Sequence, residues 1–139
     1  MKVFTDGAYS PTRDVGGIGL VFVNDNNEII YKYNKSIKKT TNNRCELSAV
    51  IVALHAISKP MEFLTIYSDS QYVVCSINNG WQRKKNLDLW KLFDKVYEQA
   101  KYYCSNITFD WVKGHADDEF NNIADKLAVE ASLEYGNYI

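Results

Sequence analysis

Phe63-Leu64-Thr65-Ile66-Tyr67-Ser68-Asp69 is a short apolar run that ends on an acid, and its reading decides the fold. Its β-branched and aromatic residues predict a strand over 63–68. The pattern just before it is different. Leu47, Val50, Ile51, Leu54 and Ile57 recur at helical spacing, with Pro60 as the stop. Earlier still the chain is strand-like. Lys2-Val3-Phe4-Thr5-Asp6 predicts a first strand, and runs around Ile18-Leu20-Phe22 and Ile30-Tyr31-Tyr33 follow, between turn signals at Gly16-Gly17 and Asn24-Asp25-Asn26-Asn27. Spacings that short suit a three-strand antiparallel meander. A strand that returns after a helix joins such a sheet by a crossover, so 63–68 is expected to lie parallel and next to the first strand.

Beyond Asp69, residues Ser70 to Ile77 predict a short helix, and Leu89, Phe93, Val96, Tyr97 and Ala100 mark one side of a longer one. Ile107, Phe109 and Trp111 alternate as a last strand, and Ala124, Leu127, Ala128 and Ala131 mark a closing helix. The order βββαβααβα predicts an α/β fold with a mixed five-stranded sheet and helices on both faces. With no repeat or linker, residues 1–139 read as a single domain.

In such a sheet ligands gather at the carboxyl ends of the parallel strands, where Asp6 and Asp69 stand. Glu46 and Asp125 each fall near the start of an amphipathic helix. Each acid has a plainer role beside this one. Asp6-Gly7 is an ordinary turn signal, Glu46 suits the third helical position behind an Asn43 cap, Asp69 suits a cap for the next helix, and Asp125 suits a solvated face. Glu46, however, precedes Val50 and Leu54 by four and eight residues and so shares their inward stripe. Carboxylates gathered at one point repel one another unless a divalent cation offsets them, so the set points to a metal-dependent enzyme. His115, in the loop Lys113-Gly114-His115-Ala116, adds a group able to move protons near neutral pH; His55, inside the first helix, reads as structural.

The composition, 46% hydrophobic and 24% charged, is that of a soluble globule, with no membrane-length apolar run and no signal-peptide pattern, so a cytoplasmic protein is expected. Cys45, Cys75 and Cys104 lack zinc spacing and suit reduced, buried thiols. The net charge of −1 argues against a polyanionic partner at first sight. With the four acids set aside as metal ligands the remaining surface turns positive, and Lys32-Lys35-Lys38-Lys39 and Arg83-Lys84-Lys85 are local basic runs.

Four blocks and a closing helix resemble type 1 ribonuclease H, in order and spacing over nearly the whole chain. They are Phe4-Thr5-Asp6-Gly7, Thr40-Thr41-Asn42-Asn43-Arg44-Cys45-Glu46-Leu47, Ser68-Asp69-Ser70-Gln71-Tyr72-Val73, Trp111-Val112-Lys113-Gly114-His115-Ala116, and Asn121 with Ala124-Asp125-Lys126-Leu127-Ala128. The resemblance implies a ribonuclease H-like sheet and an endoribonuclease that cuts the RNA strand of an RNA/DNA hybrid with two Mg²⁺ ions, Mn²⁺ being a possible substitute. Products with 5′-phosphate and 3′-hydroxyl ends are implied too. Asp6, Glu46, Asp69 and Asp125 match the family's metal-binding acids, and His115 its loop histidine, expected to serve leaving-group protonation or product departure. Gly7 (through its backbone), Asn42, Asn43 and Gln71 match the groups that read the RNA 2′-hydroxyl. Lys39, Thr41 and Asn86 resemble a pocket for a phosphate of the DNA strand, and Trp81 is a weaker candidate for packing beside the DNA sugars.

The chain departs from the pattern in three places. Ala8-Tyr9-Ser10-Pro11-Thr12 differs from many relatives after the first acid, and Asp117-Asp118-Glu119-Phe120 is unusually acidic for a loop near phosphates. Between Ile77 and Leu87 the link is short, where many relatives insert a long basic protrusion, and no separate hybrid-binding domain is expected before Met1. Fewer phosphate contacts imply weak hybrid binding, or a protein partner that supplies the grip. A DNA-preferring nuclease and a noncatalytic binding module on the same fold are the competing readings. Asn42, Asn43 and Gln71 argue against the first, and the complete acid set against the second.

Overall fold

The computed structural model describes residues 1–113 and 118–134. Its elements are β1 (Lys2–Ser10), β2 (Val15–Val23), β3 (Ile29–Lys38), α1 (Asn42–His55), β4 (Phe63–Ser68), α2 (Gln71–Asn78), α3 (Leu87–Tyr103), β5 (Asn106–Trp111) and α4 (Glu119–Glu134). The sheet runs β3-β2-β1-β4-β5. β1, β2 and β3 form the antiparallel meander, and β1-β4 and β4-β5 are parallel. The expected order, mixed sheet and β1–β4 neighbourhood are therefore all present.

Alternation along β1 and β2 splits the core between the two faces of the sheet. Val3, Ile18, Leu20 and Phe22 join Leu47, Val50 and Leu54 of α1 and Trp90 and Phe93 of α3 in one cluster. Phe4, Val21 and Val23 join Ala124 of α4 in the other. β2, covered on both sides, is buried along its whole length, whereas β3 is an exposed edge.

Several boundaries differ from the sequence reading. Asp6 does not close β1; the strand continues to Ser10 and pairs with β2 as far as Val15. Gly16-Gly17 lies inside β2 rather than at a turn, and the reversal falls at 11–14, with Asp14 left-handed at φ 50°. The glycines serve close packing instead. A Cβ on Gly17 would lie 2.2 Å from the Ala128 carbonyl oxygen, and one on Gly19 2.2 Å from that of Ala124, so bare backbone admits α4 to the sheet. The Asn24–Asn27 turn is as expected, with the Asn24 side chain accepting from the Asn26 and Glu28 amides. α1 ends at His55, ahead of Pro60, as the chain turns to bury Ile57. Cys45 and Cys104 are buried thiols, but Cys75 is only half-buried. Among the described residues no helix is long and apolar enough to cross a membrane.

Candidate active site

The parallel ladder of β1 and β4 ends at the pair Thr5 and Ser68, so Asp6 and Asp69 are the first residues beyond it, on adjacent strands. Asp6 shares a face with Phe4, toward α4, and Gly7 points the other way, toward α1. A Cβ on Gly7 would lie 2.6 Å from the Cys45 carbonyl carbon and the Glu46 nitrogen. Only glycine lets α1 settle that close. The contact carries Glu46 to the strand, where the Gly7 N–H donates both to Asp6 Oδ1 at 2.9 Å and to Glu46 Oε1.

Asp6, Glu46 and Asp69 each offer a carboxylate oxygen within 4.8 Å of the others. Asp6 and Glu46 are 4% and 6% exposed, although neither has a cationic partner among the described residues. Burial raises the Asp6 carboxyl to about 8, helped by the neighbouring Asp125 and Asp69. Glu46 is also pushed well above its ordinary value, by burial first and then by Asp69 and Asp6. Asp69 Oδ1 is buried with no hydrogen-bond partner. Acids this desolvated, one with an orphaned oxygen, form an all-oxygen set that could hold a metal ion.

Asp125 stands half-buried on α4, across the sheet from α1 and close enough to help raise the Asp6 carboxyl, and lies outside the three-residue cluster. Glu46 is not part of a capping box: Thr41 caps α1, accepting from the Arg44 amide at 3.2 Å. Nor does Asp69 cap α2, since Ser70 accepts from the Val73 amide. Both acids are thus released from their plainer roles. Sequence reasoning missed Trp111 as a support: its indole N–H donates to the Asp69 carbonyl at 3.1 Å. Only the neighbouring match around Trp111 hinted at it.

His115 lies outside the described residues. Asp118 in the acidic segment has a structural task, accepting from the Asn121 amide at the start of α4, with Glu119 in the first turn where the helix dipole favours an acid. His55 is exposed at the carboxyl end of α1, away from Glu46.

With Thr41 as the cap, Asn42 and Asn43 are exposed on the first turn of α1, and Gln71 is exposed on that of α2. Lys39 is exposed in a left-handed conformation, φ 52°, and its N–H donates to Asp14 O. Asn86 precedes α3, also left-handed, and bonds to Arg44 and Tyr72. Trp81 is 50% exposed, not buried. Arg83 lies over the Trp90 ring at 4.3 Å and pairs with Asp94 at 3.0 Å, leaving Lys84 and Lys85 exposed beside it.

The ribonuclease H family model matches residues 1–133. The chain belongs to the ribonuclease H family. A relative named ribonuclease H from Chlorobium phaeobacteroides is 39% identical and covers 94% of each chain. One from Lachnoclostridium phytofermentans is 40% identical, over 95% of this chain and 91% of its own. In fold the family resemblance extends to LC11-RNase H1, solved in complex with RNA/DNA hybrid, with a TM-score of 0.80 and 24% identity over 96% of this chain and 97% of that one. Asp6, Glu46 and Asp69 come together at the end of the parallel ladder in this fold.

Proposed function

We propose that this chain is a metal-dependent endoribonuclease that hydrolyses the RNA strand of RNA/DNA hybrids and leaves 5′-phosphate and 3′-hydroxyl ends. The observation that carries the reading is the gathering of Asp6, Glu46 and Asp69, two of them buried and one with an orphaned oxygen, within a ribonuclease H fold. The relatives' shared name and the hybrid bound to the LC11 protein support the substrate.

Asp6, Glu46, Asp69 and Asp125 would hold two Mg²⁺ ions, with Mn²⁺ as a substitute. When bound, such a pair activates a water nucleophile and offsets charge on the departing 3′ oxygen. The protein's part is to hold the carboxylates in place before the metal arrives. The Gly7 N–H orients Asp6 and Glu46 together. Trp111 steadies the Asp69 backbone. Asp125 would add its carboxylate from α4, beside Asp6. His115, which precedes α4 in the sequence, serves leaving-group protonation or product departure.

Substrate selection falls to the exposed amides. Asn42, Asn43, Gln71 and the Gly7 backbone face the RNA 2′-hydroxyls, while Lys39, Thr41 and Asn86 hold a phosphate of the DNA strand. With Arg83 paired to Asp94, the short link before α3 offers the hybrid little beyond Lys84, Lys85 and the exposed Trp81, so grip on the hybrid is weak or is supplemented by a protein partner. Residues 1–139 act as one domain, and three free thiols suit the cytoplasm.

The test is a purified protein offered labelled hybrid, RNA duplex and DNA duplex, each with and without Mg²⁺. Cleavage confined to the RNA of the hybrid, dependent on metal and lost in Asp69→Asn with the fold retained, is expected. Equal cleavage of hybrid and DNA duplex would overturn the substrate assignment. An Asp69→Asn protein as active as the wild type would place the chemistry elsewhere.

A further inference from the structure

Asn86 has a backbone and a side chain committed to something other than its helix. It is left-handed at φ 58° and ψ 36°, a conformation asparagine tolerates better than most side chains, and its side chain makes no capping bond to α3. The amide is turned instead toward α1 and α2. Arg44 Nη1 donates to Asn86 Oδ1 at 3.3 Å, and Asn86 Nδ2 donates to the Tyr72 hydroxyl at 3.1 Å. The buried Trp90 indole N–H donates to the same hydroxyl at 3.0 Å.

The chemistry of these partners leaves one arrangement. Guanidinium and indole groups only donate, so the amide oxygen must face Arg44 and the Tyr72 oxygen must accept from Trp90. The amide nitrogen therefore faces Tyr72, and both lone pairs of that hydroxyl are occupied. Arg44 is itself held by Asp88 through two bonds of 3.0 and 2.9 Å, which occupy both carboxylate oxygens and offset its charge. What the hub has left to give is donors alone: the second amide N–H and the Tyr72 hydroxyl proton, neither bonded among the described residues. Exposed Lys84 and Lys85 lie just upstream. Leftover donors beside uncompensated cations suit an anion.

We propose that Tyr72 and Arg44 are positioning residues that preset the Asn86 amide to donate to a backbone phosphate of the hybrid, away from the phosphate at the acids. The proposal rests on the hybrid-nuclease reading above. Asp88 keeps Arg44 in place as a strut rather than as a phosphate ligand. The contact is then a neutral hydrogen bond whose strength depends on orientation.

The test measures binding of a fluorescent RNA/DNA hybrid in EDTA by anisotropy, and cleavage kinetics in Mg²⁺, for wild type, Tyr72→Phe, Asn86→Gly and the double variant. Glycine keeps the left-handed backbone while removing the amide. Tyr72→Phe should raise Kd and KM by about fivefold to tenfold, the loss of one well-aligned bond to a charged acceptor, with kcat within about twofold. The double variant should bind no more weakly than the weaker single one, because Tyr72 acts through Asn86. Where Tyr72→Phe fails to fold, Arg44→Lys takes its place. It keeps the charge but cannot bridge Asn86 and Asp88 together, and the same rise is expected. An active Tyr72→Phe enzyme that binds hybrid like the wild type, or single effects that multiply in the double variant, would overturn the proposal. A wild type that binds with this pattern yet never cuts the hybrid would overturn the nuclease reading and leave the hub standing.

Discussion

Replacing Asp6 by Asn should stabilise the metal-free protein while destroying its activity. In the folded chain burial and the neighbouring Asp125 and Asp69 hold the Asp6 carboxyl at about 8, against 3.8 for the free group. Between those values the native state keeps a proton that the unfolded chain has released. Stability therefore falls as pH rises through that window, is undiminished below it and levels off above it. pH 7 lies about three units above the point where the unfolded carboxyl ionises, and at ~1.36 kcal/mol per unit keeping it protonated in the fold costs about 4 kcal/mol. Asn is the isostere of the protonated acid: its oxygen can still accept from the Gly7 N–H, and its amide can donate toward Asp125. Rearrangement of neighbouring carboxyls and water entry reduce the gain, so about 2–4 kcal/mol is expected from urea unfolding in EDTA at pH 7. The gain should shrink toward zero near pH 4. It should also shrink when millimolar Mg²⁺ is added, because the cation stabilises only the native wild-type cluster. An Asp6→Asn protein no more stable than wild type at pH 7, or a gain that does not change with pH, would refute the electrostatic account of the site.

Two further expectations come from packing and from charge. Gly7→Ala puts a methyl group 2.6 Å from main-chain atoms of Cys45 and Glu46, which cannot swing aside; denaturant unfolding should show a loss of about 3 kcal/mol, and activity should fall at least about tenfold as Glu46 is displaced. Arg83→Ala and Lys84→Ala should separate stability from binding. The first removes a cation stacked on Trp90 and should cost about 1 kcal/mol in thermal or urea unfolding without altering the salt slope of hybrid binding. The second should leave stability within about 0.5 kcal/mol but lower the slope of log K against log salt by about one.

Much of this architecture was legible because local patterns and topology pointed the same way. The strand at 63–68, flanked by helical periods, required a crossover, and the crossover placed Asp69 beside Asp6. The inward stripe of Glu46, Val50 and Leu54 put a carboxylate where a capping residue had no need of one, and all three are buried. Gly16-Gly17 misled for a physical reason. A residue without a Cβ serves a turn and a tight helix–strand contact equally well, and only the position of α4 tells them apart. Thr41, Asn42 and Asn43 are all good caps, so the choice of Thr41 depends on backbone angles that residue type does not carry. The Arg44–Asp88 and Asn86–Tyr72 contacts join separate helices and leave no periodic trace in the chain.

Gly7, Gly17 and Gly19 also explain how acids from opposite faces of a sheet come to converge on Asp6. α1 lies against one face and α4 against the other, so Glu46 and Asp125 start with the sheet between them. The parallel ladder stops at Thr5 and Ser68, and only past that point can side chains reach around the strand. Reaching costs length, and Glu and Asp have little to spare. Gly7 draws α1 inward until the Glu46 nitrogen would touch a Cβ on the strand, and Gly17 and Gly19 draw in α4 along its Ala124 and Ala128 backbone. Short helix–sheet distances on both sides thus bring Glu46 and Asp125 each toward Asp6 from elements that cannot repel each other apart, because each is anchored in its own apolar cluster. Larger residues at these glycines would have to lift a helix, and the acid with it, so packing at the strand and charge at its end are a single constraint on the chain.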